Sequence, residues 1–213
     1  DPLGYHLVNV AMHSLNGVLV FLLAREYKVR WPLWAALLFL VHPLHVQAVA
    51  WIIQFKTLLA TALALGVLLA FRREATSRAL VLFAAALLAK TSVVLLSFVL
   101  VAEVWRKPRK YWWRLAPFFV LMIAAGLVTL YVNDLNFHER TSRVFNMGIG
   151  ERLLLITQNL IFYAKAFYWP HQLAYMYPLQ VPETYGSSLW LIPAALLLLA
   201  LLAALALYPP WSS

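Results

Sequence analysis

His42-Pro43-Leu44-His45 separates two apolar runs, 34–41 (WAALLFLV) and 46–53 (VQAVAWII). Two imidazoles three residues apart beside a proline can converge on one cation or one phosphate oxygen. The competing role is a helix end at a membrane interface, with the imidazoles reaching toward water. Lys90 poses the same choice. It lies between Leu87-Leu88-Ala89 and Thr91-Ser92-Val93, about ten residues from either end of its apolar stretch. A lysine at that depth costs about 2.5 kcal/mol or more on insertion unless it meets water or an anion. An anionic head group is therefore its expected ligand. Lys56 is a second cation on the same expected side, whereas Lys165 is nearer a helix end and is expected to snorkel.

His6, Asn9, His13 and Asn16 follow the spacing i, i+3, i+7, i+10 and so share one helical face. On a membrane helix such a stripe faces a cavity or the bundle interior. Its alternative to lining a cavity is interhelical hydrogen bonding, worth from a fraction of a kcal/mol to about 2 kcal/mol per bond. His6 and His13 are about 10 Å apart along the axis, too far for one ion. A polar segment, 133–150, carries Asp134, His138, Glu139, Arg140 and Arg143, the two arginines being suited to phosphate. The chain has no Gly-rich phosphate loop, no Gly-x-Ser-x-Gly, no His-Glu-x-x-His and no cysteine, which excludes thiolate chemistry and disulfides.

These residues are positioned by a membrane protein. The chain is 64% hydrophobic and 12% charged, about half the charge of a soluble domain. About seven hydrophobic segments, some short or broken, predict an all-α polytopic helical bundle forming one transmembrane domain over 1–213. Residues 189–208 carry no charge at all. The net charge of +9 comes from short loops, not from a basic-aromatic surface of the nucleic-acid-binding kind, so no nucleic-acid partner is expected. Three, three and five of the 17 basic residues fall in loops 25–30, 72–78 and 106–114. Placing all three loops in the cytoplasm puts His42, His45 and Lys56 on the external side. It also makes 79–105 a hairpin turning near Lys90, around a water-filled recess. The 133–150 loop is then external, and the side of 170–187 is undetermined. No fixed-period repeat or inverted symmetry of the transporter kind is visible.

Several motifs resemble a known family. They are Asp1-Pro2-Leu3-Gly4-Tyr5-His6-Leu7-Val8-Asn9-Val10 with His13, and His42-Pro43-Leu44-His45-Val46 with Ala48-Val49-Ala50-Trp51. Leu88-Ala89-Lys90, Gly150-Glu151-Arg152-Leu153-Leu154, Trp169-Pro170, Leu173-Ala174 and Tyr177-Pro178 follow in order. Together they resemble the bacterial relatives of the transmembrane-and-tetratricopeptide O-mannosyltransferases. The resemblance implies a GT-C-like core in a bacterial inner membrane. It implies a polyprenyl-phosphate sugar donor, an acceptor on the external face and a divalent metal, Mg or Mn. His42 and His45 would then lie on the metal side and Lys90, Lys56, Arg140 and Arg143 on the phosphate side. Such members carry an acidic external loop after a first span, and repeats at the C-terminus. Both would flank this sequence, which opens at Asp1-Pro2 without methionine or signal peptide and reads as a processed product or part of a longer protein. Two positions depart from the pattern: Gln47 stands where relatives tend to have an acid, and Gln54-Phe55-Lys56-Thr57 replaces a charged run. Glutamine cannot serve as a general base. A second implied role is therefore a catalytically degenerate relative acting as an accessory subunit among other membrane protein subunits and lipids.

Overall fold

A computed structural model describes residues 3–105, 107–135 and 148–170. Every element among them is helical. The chain divides into two compact units, Asp1–Asp134 and Leu135–Ser213. The first contains α1 (Leu3–Glu26), α2 (Pro32–Val41), α3 (Val46–Ala50), α4 (Phe55–Arg72), α5 (Thr76–Ala89), α6 (Leu96–Val104) and α7 (Ala116–Leu135), the last running one residue past the boundary. Short 3-10 turns precede α3, α4, α6 and α7. The second unit is described through α8 (Ile149–Tyr168), whose Lys165 is exposed.

Three stretches are long and apolar enough to cross a membrane: Leu3–Glu26, Ile52–Arg72 and Arg109–Val132. Pro32–Val41 with Pro43–Ala50 makes a fourth if that pair, bent by 50°, is one span. Among the described residues, other hydrophobic segments are too short to span on their own. α5 has 14 residues and α6 nine, so at about 1.5 Å per residue neither crosses a hydrocarbon layer of about 30 Å. Residues 189–208, the last expected span, lie outside the described residues. Only 11% of the Arg109–Val132 window is buried inside the protein. Its apolar surface therefore needs lipid, since water would oppose such exposure.

The breaks have local causes. Pro43 has no N–H and disfavours helical backbone before it, so His42 is extended at φ −66°, ψ 126°. Lys90 is extended at φ −159°, ψ 119° and ends α5. The chain then returns through Thr91–Leu95 and α6, and Glu103 comes to the end of the bundle where α5 began, ion-paired to Arg72 at 2.9 Å. The path 79–105 is a hairpin turning at Lys90. Its core joins Phe71 of α4, Phe83 of α5, Leu100 of α6 and Phe118 of α7, all fully buried. Phe118 meets Phe71 and Phe83 at centroid distances of 5.6 and 5.4 Å.

Contacts across the chain bring the three basic loops to one end. Arg73 pairs with Glu26 at 2.6 Å, and Arg114 donates to Thr76 Oγ1 at 2.7 Å and to the Phe71 carbonyl at 3.2 Å. Tyr27 donates to Glu103, while the Arg72 guanidinium stacks 3.9 Å from the Tyr27 ring centroid. α1 and α4 end here in the same way, with Lys28 and Glu74 left-handed at φ 55° and 59°. Val29 N–H bonds back to the Ala24 carbonyl and Ala75 N–H to that of Ala70, closing both helices.

Candidate functional site

The polar stripe of α1 turns inward at three of its four positions. Asn9, His13 and Asn16 are buried, while His6 is half-exposed. Their partners explain the placement. In an uninterrupted helix Leu44 N–H would bond the Leu40 carbonyl; here it donates to His42 Nδ1 at 3.3 Å. The Leu40 carbonyl instead accepts from His13 Nε2 at 3.1 Å. Where α3 ends, Asn9 Nδ2 donates to the carbonyls of Val49 and Trp51 at 3.1 and 3.2 Å. Asn16 Nδ2 donates to the Leu58 carbonyl on α4 at 3.0 Å. At membrane depth a carbonyl released by a helix break needs another donor, and His13 supplies one to Leu40. Beside it, Gly17 lets α2 approach closely: a Cβ there would lie 2.6–2.8 Å from the Leu40 side chain.

The histidine pair stands against this framework. The His13, Phe39, His42 and His45 rings form one cluster, with His13 and His45 centroids 5.3 Å apart and His42 and His45 6.0 Å apart. His13 Nδ1 and His45 Nδ1 are buried with no hydrogen-bond partner. Among the described residues no three His, Asp or Glu side chains are grouped to hold a metal. Mg and Mn favour oxygen donors. The three carboxylates with described side chains, Glu26, Glu74 and Glu103, all take part in ion pairs at the basic end. The described donors do not fit such an ion.

At the other end of α4, Lys90 Nζ donates to Thr57 Oγ1 at 3.0 Å, and Thr57 Oγ1 donates onward to Gln54 Oε1 at 2.6 Å. The ammonium therefore meets a neutral hydroxyl, with no carboxylate ion pair among the described residues. It opens onto a cleft of about 260 Å³ between α4 and the turn after Lys90. Thr57, Thr61, Lys90 and Ser92 form the polar part of the lining, and Ala60, Ala64, Leu65, Leu68 and Val93 the apolar part. A charged head with an apolar trough beside it suits an amphiphile whose anionic group meets the lysine. Lys56 is exposed on the same first turn of α4 as Thr57. Arg140 and Arg143 lie outside the described residues.

Sequence reasoning singled out Lys90 but not Thr57, Thr61 or Ser92. A signal for two of them was present: Gln54, Thr57 and Thr61 are spaced i, i+3, i+7 on one face at the start of α4.

Comparison with known proteins gives two partial matches. The chain is 42% identical over 79 residues to Protein O-mannosyl-transferase Tmtc1 of Drosophila melanogaster, covering 36% of this chain and 9% of that protein. It is 33% identical over 74 residues to Protein O-mannosyl-transferase TMTC3 of Mus musculus, covering 34% of this chain and 8% of that protein. No family model matches, and no solved structure matches. The chain thus spans less than a tenth of the length of these curated relatives. Over about a third of its own length, this helical membrane protein is related to the O-mannosyltransferases.

Proposed function

We propose that this chain forms part of a GT-C-like glycosyltransferase core that takes a sugar from a polyprenyl-phosphate donor at the end of the bundle holding Lys90. The observation that carries this reading is the Lys90 ammonium, bonded to neutral Thr57 and open to a cleft with an apolar trough. In the reaction an acceptor hydroxyl attacks the anomeric carbon, and the bond from that carbon to the phosphate oxygen breaks. The leaving phosphate keeps the electron pair, and a base supplied from outside the described residues takes the hydroxyl proton. Lys90 would hold the phosphate and stabilise the charge developing on it, with Lys56 adding to the local potential. His42 and His45, beside the Pro43 break, would lie on the donor side of the site. The basic end faces the cytoplasm of a bacterial cell in this reading, and the Lys90 end faces outward. The partial likeness to O-mannosyltransferases makes mannose the first sugar to test.

A second reading has one observation in its favour. The carboxylates with described side chains are all committed to arginines at the basic end, which suits an accessory subunit of a membrane complex that no longer catalyses transfer. One experiment separates the two. Membranes containing the full protein are given polyprenyl-phosphate mannose labelled in the sugar, and released polyprenyl phosphate and labelled acceptor are measured. Turnover that falls at least tenfold in Lys90→Gln supports the transferase. No turnover, together with stoichiometric co-purification of other membrane subunits, supports the accessory role.

A further inference from the structure

We propose that the Arg109–Leu115 turn, with the cations around it, is a docking surface for anionic phospholipid headgroups. It is separate from the Lys90 cleft and does not depend on any transferase activity. Charge pairing distinguishes three cations of the basic end from three on or beside the Arg109–Leu115 turn. Arg72, Arg73 and Arg114 are taken up by Glu103, Glu26 and Glu74 at 2.9, 2.6 and 3.9 Å. Lys107, Arg109 and Lys110 have no carboxylate partner among the described residues, and Arg109 and Lys110 are exposed. The first set ties the loops together. The second stays without a carboxylate, as Arg25, Lys28, Arg30 and Arg78 also do among the described residues; what sets it apart is its place on or beside the Arg109–Val132 span.

Length places that group at headgroup depth. Arg109–Val132 counts as one span of 24 residues. Its seven-residue 3-10 turn, Arg109–Leu115, rises about 2 Å per residue and the helix about 1.5 Å per residue, giving roughly 40 Å in all. A hydrocarbon layer of about 30 Å leaves roughly 10 Å over, the depth of a headgroup layer. Side chains on this turn match that depth. Trp112 and Trp113 are 39% and 82% exposed, and Lys107 and Lys110 lie 5.3 and 5.4 Å from the Tyr111 ring centroid. Tryptophan favours the interface and clustered Lys and Arg favour anionic headgroups. An acidic soluble partner would account for the cations but not for tryptophans at the edge of a span.

The test uses the full chain in phosphatidylcholine vesicles containing a minor share of phosphatidylglycerol. Lipids that remain bound are counted by native mass spectrometry after release. Phosphatidylglycerol should be enriched over its share in the vesicles. Each removed cation should lower that preference about fivefold, so Lys107→Gln/Arg109→Gln/Lys110→Gln should lower it on the order of a hundredfold. Arg109→Lys, which keeps the charge, should retain it. Bound lipid that mirrors the vesicle, or a triple variant that binds like wild type, overturns the proposal. Should the triple variant fail to insert, wild type at rising salt decides. Ionic headgroup contact is screened within about 10 Å at moderate salt, so an enrichment indifferent to salt also overturns it.

Discussion

Asn9→Leu removes one side chain that serves two carbonyls. Asn9 Nδ2 reaches Val49 and Trp51 at 3.1 and 3.2 Å, and the residue is 1% exposed. Leucine has nearly the same volume, so the change leaves no large cavity. The unfolded reference chain also sits in the bilayer, so leucine's greater hydrophobicity favours neither state strongly. What remains is the loss of two interhelical bonds. Such bonds average about 0.6 kcal/mol and reach about 1.7, so the expected destabilisation is about 1–3 kcal/mol. That is roughly a 5- to 150-fold shift in the unfolding equilibrium. The matched control is Ser14→Ala. Ser14 lies on the exposed face and bonds only the Val10 carbonyl of its own helix, so its removal should cost less than about 0.5 kcal/mol. Reversible unfolding of both variants in bicelles, followed by steric trapping, provides the comparison. If Asn9→Leu unfolds like wild type, or no more readily than Ser14→Ala, the stripe does not hold the broken helices.

Gly17→Ala should destabilise the bundle by about 1–3 kcal/mol through its clash with Leu40. Leu40→Ala should relieve part of that cost in the double variant, read as non-additivity in the same unfolding assay. Lys28→Gly should stabilise by about 1 kcal/mol, since Lys28 closes α1 at φ 55°, a conformation that only glycine adopts without penalty. Burial first, and the bond to Glu103 next, hold the Tyr27 phenol well above its ordinary value of 10.0. Folding thus favours the protonated phenol. Its contribution is whole below about pH 10 and is lost as pH rises through the higher folded value. Unfolding midpoints should therefore fall more steeply above pH 10 in wild type than in Tyr27→Phe.

Much of this architecture was legible because it rests on local chemistry. Pro43 breaks a helix wherever it stands, and a stripe at i, i+3, i+7 must share a face. Clustered arginines mark one side of a membrane, and the structure does bring those clusters to one end. Lys90 in an apolar run signalled a turn, and the hairpin turns there. Pairings across sequence distance were not legible. Nothing near Tyr27 points to Glu103, 76 residues away, and nothing near Lys90 selects Thr57. The stripe could be assigned a face but not a partner, because its acceptors are backbone carbonyls of distant segments, at Leu40, Val49, Trp51 and Leu58. The short arms were legible as well: Lys90 divides the apolar run 79–105, and α5 and α6 both fall below spanning length.

The claim that matters most is that Lys90 holds a lipid phosphate, and photocrosslinking tests it directly. A polyprenyl phosphate bearing a photoreactive group early in its chain is added to the full protein in membranes, irradiated, and mapped by peptide mass spectrometry. If Lys90 holds the phosphate, adducts fall on the cleft wall, at Ala60, Ala64 or Val93, are competed by unlabelled polyprenyl phosphate, and are lost in Lys90→Gln while Lys90→Arg retains them. Adducts spread along the lipid-facing surface of α7, unchanged by Lys90→Gln, would contradict it.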